Sequence, residues 1–109
     1  MLRCAIGGWV VVAAAFAANG AAAADAAAGK KVAGMCAVCH GLDGLSKMPE
    51  APNIAGSPEQ YLARQLNAFR KGERKNEMMS VMAQQMSDQD VADLAAYYAA
   101  IEVTVKVPK

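Results

Sequence analysis

The chain has 109 residues, 11 Lys/Arg against 10 Asp/Glu, and a formal net charge of +1 at pH 7. That length suits a single domain, and the even charge balance argues against a nucleic-acid binder, which needs a strong positive field. Nothing beyond residue 24 is long and apolar enough to span a bilayer.

Taken in chain order, residues 1–24 read as a targeting segment and not as part of the fold. Arg3 supplies a short positive start, Ala5 to Ala18 form an almost wholly apolar run, and Asn19 and Gly20 break it before Ala22-Ala23-Ala24. Small residues at that spacing form a cleavage pattern, so a cut is expected before Asp25, leaving one domain over residues 25–109. An uncut segment would act as a membrane anchor. Ala26 to Val38 then reads as a first helix, rich in alanine and interrupted by Gly29 and Gly34, with two cysteines at its end. Gly41 to Gly56 carries three glycines and two prolines with no helical period, and is expected to be a loop. Ser57-Pro58-Glu59-Gln60 is a helix start, with Ser57 as cap, Pro58 in the first position and Gln60 closing a capping box. That helix should bury Tyr61, Leu62, Leu66 and Phe69 and stop at Gly72. A polar turn over Lys71 to Asn76 leads to a short methionine-rich helical segment. Ser87, with Asp88 and Asp90 in the first turn, caps a last helix running to about Ile101, whose apolar stripe is Val91, Leu94, Ala95, Tyr98 and Ile101. Val103 to Lys109 is a tail. The reading is all-α, with four short helices and one long loop.

Cys36-Ala37-Val38-Cys39-His40 carries the chemistry. Thiols three positions apart lie about one helical turn from each other, so both reach the two vinyl groups along one edge of a haem. The adjacent histidine is then held beneath the iron as an axial ligand. A structural zinc site needs four ligands, and beyond residue 24 there are only two cysteines and one histidine. A redox dithiol usually sits in a βαβ setting, and no strand pattern surrounds this pair. A plain disulfide would explain neither the histidine nor the scarcity of aromatics, which beyond residue 24 are only Tyr61, Phe69, Tyr97 and Tyr98. A domain this small gains from a cofactor, and a buried haem fills the apolar deficit.

His40 is the sole histidine, so the iron's second axial position falls to another side chain or stays open. Met78, Met79, Met82 and Met86 cluster downstream, and a thioether is a suitable soft ligand. Methionines 78, 82 and 86 also follow a helical stripe, and methionine commonly fills core gaps. Composition leaves the ligand open.

From Gly29 to Ile101 the chain resembles class I bacterial cytochromes c of the c4/c5/c553 type. The residues that carry the resemblance are Cys36 to Gly41, Asp43-Gly44, Pro52 to Gly56, Tyr61-Leu62, Gln65-Leu66, Phe69-Arg70, Gly72 and Ser87 to Tyr98. It implies a class I cytochrome c fold around one covalent haem c. It also implies an axial methionine eight residues before the serine that opens the last helix, which is Met79, with Met82 or Met78 as the alternative. Pro52 would offer the carbonyl that accepts the Nδ1–H of His40, and such a bond fixes the imidazole tautomer. Gly29, Val32 and Ala33 would face Leu94, Tyr97 and Tyr98.

With both axial positions filled, the resemblance implies a one-electron carrier of raised reduction potential and no enzyme. Its partners would be periplasmic or membrane-bound redox proteins, and the carrier itself an exported, periplasmic monomer. Alternatives are a haem subunit docked to a dehydrogenase or oxidase, and a gas-binding or peroxidatic haem protein with an open sixth position. Arg64, Arg70, Lys71, Arg74 and Lys75 form either a solvated helix face or a patch that steers an acidic partner.

Overall fold

The computed structural model describes residues 23–109, so the targeting segment expected over residues 1–24 lies outside the described residues except for Ala23 and Ala24. The described chain holds five helices and no strand: α1 (Ala26–Val32), α2 (Gly34–His40), α3 (Glu59–Lys71), α4 (Glu77–Gln84) and α5 (Asp88–Ala99). The all-α expectation holds, with one helix more than expected. The single helix expected over 26–38 bends at Ala33, where ψ opens to −10°. Gly34 follows, and glycine is a weak helix former that leaves the turn free to bend. The second piece runs through both cysteines to His40 and stops at Gly41, where φ is +73°.

Asp25 caps α1, its carboxylate accepting from the Ala27 N–H at 2.9 Å. Lys30 and Lys31 in the last turn suit the negative end of the helix dipole. The helix lies against α5, and Gly29 is a point of close approach, because a Cβ there would meet the Asp93 carbonyl oxygen. The start of α1 is also tied to the far helix, since the Asp25 N–H donates to Asp93 Oδ1 at 2.8 Å. Gln89 Nε2 donates to the same oxygen at 2.8 Å, so the buried Asp93 carboxylate is hydrogen-bonded.

The start of α3 differs from expectation. Pro58 sits at the cap with ψ of 133° and no side-chain cap bond, and the helix begins at Glu59. Because Pro58 is extended, it takes the cap position that Ser57 was expected to fill, and its carbonyl accepts the first helical bond, from Leu62 N at 3.0 Å. Leu62 and Phe69 are buried and Leu66 is half-buried, on one stripe of α3. Tyr61 is 45% exposed, one residue off that stripe, and does not join the core. Gly72 ends the helix in the left-handed region, as expected.

Ser87 caps α5 in a reciprocal box with Asp90, at 3.0 and 2.9 Å. The core gathers Ala33, Leu62, Met86, Val91, Leu94, Ala95 and Tyr98, with Ile54, Leu66 and Ile101 packed against it. Both α1 and α3 rest on α5, while α4 rests on α3. No helix among the described residues is long and apolar enough to cross a membrane.

Candidate functional site

The second helix places Cys36, Cys39 and His40 on adjoining turns. Neither cysteine is in a disulfide, and both are half-buried. Burial against the core pushes the Cys36 thiol up to about 11, so it stays neutral at ordinary pH. The His40 ring is buried, and its Nδ1 lies 2.9 Å from the Pro52 carbonyl oxygen. A carbonyl only accepts, so Nδ1 is the donor, and in the neutral ring Nε2 is then the nitrogen with the free lone pair. That second nitrogen makes no hydrogen bond to any described residue.

The loop that delivers Pro52 is held at several points. Lys47 N–H donates to the Cys39 carbonyl at 2.8 Å, and Ser46 N–H donates to Asn53 Oδ1 at 2.7 Å. Asp43 accepts from Leu45 N–H and pairs with Lys47, which together draw its carboxyl below the usual range. Ile54 and Ala55 N–H groups both donate to the Gly44 carbonyl, at 2.8 and 3.0 Å. Gly44 has φ of +70°, and a side chain there would press on the Ala55 backbone, so only glycine lets the loop fold back on itself. Two tyrosines of α5 complete the clamp. Tyr98 Oη donates to the Gly41 carbonyl at 3.0 Å, and Tyr97 Oη to the Leu42 carbonyl at 2.6 Å. Burial holds the Tyr98 hydroxyl strongly in its protonated, donating form. The two rings meet edge to face, 5.0 Å between centroids. The sequence presents these tyrosines only as packing residues, and a bond spanning 57 positions leaves no local trace in it.

The methionines are sorted by burial. Met86 belongs to the core at 4% exposure, and Met78 faces outward at 60%. Met79 and Met82 are both half-buried on α4. Burial therefore does not separate these two. Asn76, at the end of the polar turn, caps this helix: its side-chain oxygen accepts from the Met78 and Met79 N–H groups. Asparagine ahead of a periodic segment is a known helix-start signal, so the sequence does carry a sign of this role. Of the five basic residues read as either a solvated face or a steering patch, Arg70 is paired with Asp88 at 2.7 Å. Arg74 bonds Gln65 at 2.6 Å and lies over the Phe69 ring. Arg64, Lys71 and Lys75 are exposed, without an ion pair among the described residues.

An imidazole oriented by its Nδ1 bond, beside two free thiols one turn apart, is a donor set suited to a covalently attached, iron-centred porphyrin. Apolar residues Ile54, Leu62 and Leu66 lie in the same cluster as Cys36, which suits a large apolar group.

Comparison with known proteins agrees in kind. The family model described as cytochrome c matches residues 26–101. Cytochrome c-554(548) of Halomonas halodenitrificans is 46% identical over 83 residues, an alignment that covers 73% of this chain and 100% of that protein. The thiosulfate dehydrogenase electron acceptor of Thiomonas intermedia is 44% identical over 88 residues, covering 79% of this chain but 40% of that protein. Among solved structures, reduced recombinant cytochrome c4 from Pseudomonas stutzeri superposes with a TM-score of 0.70 at 38% identity. That match covers 76% of this chain and 48% of the other, so the chain spans about half of that longer relative.

Proposed function

The chain belongs to the cytochrome c family, and from that premise we propose a one-electron carrier whose haem is attached at Cys36 and Cys39, with His40 and Met79 as axial ligands. When bound, the c-type haem supplies an Fe(III)/Fe(II) couple that takes up and returns one electron. The chain's own residues do the rest. Cys36 and Cys39 fix the group to α2 as thioethers. His40 offers Nε2, and Pro52 holds the ring by accepting its Nδ1–H. Met79 supplies a neutral sulfur from α4, and the core around Leu62, Leu66 and Ile54 keeps water away. With His40 and Met79 both holding the iron there would be no open position for a substrate, and the protein would act by passing electrons to other proteins and not as an enzyme. The observation that carries this reading is the buried His40 ring, its Nδ1–H donated to Pro52 and its Nε2 left without a partner among the described residues.

The axial assignment is tested by visible spectroscopy of the oxidised protein. Methionine-ligated ferric haem shows a weak far-red charge-transfer band. It is expected to vanish in Met79→Ala and to survive in Met82→Ala, and the reverse pattern would move the ligand to Met82. A band missing from the unmutated protein would favour an open sixth position.

The proposal extends to export. Residues 1–24 act as a leader and residues 25–109 as the working domain, in the periplasm. In support, the family match begins at residue 26 and the first helix is capped by Asp25.

A second reading, a subunit held within a larger redox complex, is favoured by the outer side of α4. Met78 and Val81 are 60% and 57% exposed there, and a relative named for its dehydrogenase partner is 44% identical. Size-exclusion chromatography of native extract separates the two: elution as a small monomer supports the free carrier, and co-elution with a dehydrogenase supports the docked subunit.

A further inference from the structure

We propose that Asn76 is the positioning residue for Met79, pinning the first turn of α4 so that the thioether stays on the iron. The proposal rests on the reading of Met79 as axial ligand.

Asn76 has an extended backbone, φ −155° and ψ 138°, just ahead of the helix. Its Oδ1 accepts from the Met78 N–H at 3.0 Å and from the Met79 N–H at 2.9 Å. The arrangement is reciprocal, because the Asn76 N–H donates to Ser80 Oγ at 3.1 Å and the Ser80 N–H donates to the Asn76 carbonyl at 2.9 Å. One side chain thus satisfies two of the N–H groups that a helix start leaves without partners, and one of them belongs to Met79 itself.

Little else holds that turn. The helix has eight residues, too few to be stable by local bonding alone. It packs on α3 and on no other helix among the described residues. Its buried residue is Ala83, in the last turn, with buried Met86 just beyond. In the first turn Glu77 and Met78 are exposed and Met79 and Ser80 only half-buried. Packing therefore secures the end of α4 away from Met79, and the cap secures the end that carries it. When the cap is lost the first turn frays, and Met79 leaves the iron more often while the rest of the domain stays folded.

Imidazole titration of the oxidised holoprotein reads this directly. Imidazole takes the iron's sixth position only when Met79 has left it, so its apparent affinity scales with the fraction of molecules in that open state. Replacing an asparagine cap by alanine shifts the local equilibrium about fivefold, glycine less, and aspartate hardly at all. Asn76→Ala is expected to bind imidazole about fivefold more tightly than the unmutated protein. Asn76→Gly should fall between them, and Asn76→Asp should return to the starting affinity. In a Met79→Ala background, Asn76→Ala should leave imidazole affinity unchanged. An unchanged affinity in Asn76→Ala overturns the proposal, and so does an equal rise in both backgrounds, which would mean that the cap acts through something other than Met79. Failure of the axial reading looks different: Met79→Ala alone would then keep the far-red band and the original imidazole affinity.

Discussion

Replacing Cys36 and Cys39 together by alanine is expected to give a colourless exported chain whose intact mass equals the bare polypeptide. Its far-UV circular dichroism should show little of the native helix content. The unmutated protein should carry the added mass of one haem. The reason lies in the thinness of the protein's own core. Among the described residues, three of the buried hydrophobics, Ala33, Ala83 and Ala95, are alanines, and Leu94 is the largest side chain that is fully buried. A domain of this size buries too little apolar surface to stand well above the entropy cost of folding. At the proposed site, a covalent aromatic macrocycle beside Cys36 and Leu62 would supply much of what the side chains lack. The helices are too short to persist alone, so loss of the group should bring loss of fold and not a folded apoprotein. A coloured double mutant that retains the haem mass would overturn the attachment.

The second large effect is expected at Gly29. A Cβ built there lies 2.0 Å from the Asp93 carbonyl oxygen, 2.5 Å from the Asp93 carbonyl carbon and 2.8 Å from Tyr97 Cβ. Two of those atoms are backbone, so no rotamer change relieves the contact. Either α1 moves off α5 or the change is not accommodated. Overpacking of this kind costs about 3 kcal/mol or more, well above the ~1 kcal/mol of helix propensity gained on exchanging glycine for alanine. For a domain of this size that corresponds to a drop of roughly 12 °C or more in Tm. Gly34→Ala is the internal control, since a Cβ there meets nothing within 4 Å. It should be neutral or slightly stabilising. Thermal melts of the two variants check the claim, and equal melting temperatures would sink it.

Much of the fold and of the site is legible in the chain of residues itself. The Cys36 to His40 block carries the proposed chemistry in residue type and spacing, because two thioethers and an axial imidazole would need that spacing on one turn. The last helix is equally readable: Ser87 and Asp90 form a local cap, and Val91, Leu94, Ala95 and Tyr98 repeat at helical period and are all buried. The bend at Ala33 is only half legible: Gly34 marks a weak point, but Gly29 in the same stretch is a glycine too and leaves α1 unbroken. Serine at position 57 has the oxygen for a cap, but the fixed backbone of Pro58 sets the boundary instead. Tyr61 has the aromatic character of a core residue, although the stripe of Leu62, Leu66 and Phe69 leaves it on the flank. Asn76 sits where a cap belongs, yet in a turn rich in polar residues its side chain is one candidate among several. The hydroxyl bonds of Tyr97 and Tyr98 are beyond reach of local pattern, because they join segments that only the tertiary fold makes neighbours.

Those long bonds bear on the order in which the molecule is made. Asp93 holds the Asp25 N–H across 68 positions, and Tyr98 holds the Gly41 carbonyl across 57. The segment with the cysteines is therefore synthesised well before the helix that locks it. In the closed fold a free Cys36 thiol is half-buried and held neutral, and a neutral thiol is a poor nucleophile. On the proposed attachment, the half-buried position of Cys36 in the closed fold would place bond formation in the open chain, before α5 docks. Closing the two ends together is the later step, slow to find because its contacts are so far apart along the chain. The last helix then works as a latch, shut over the segment that carries the cysteines.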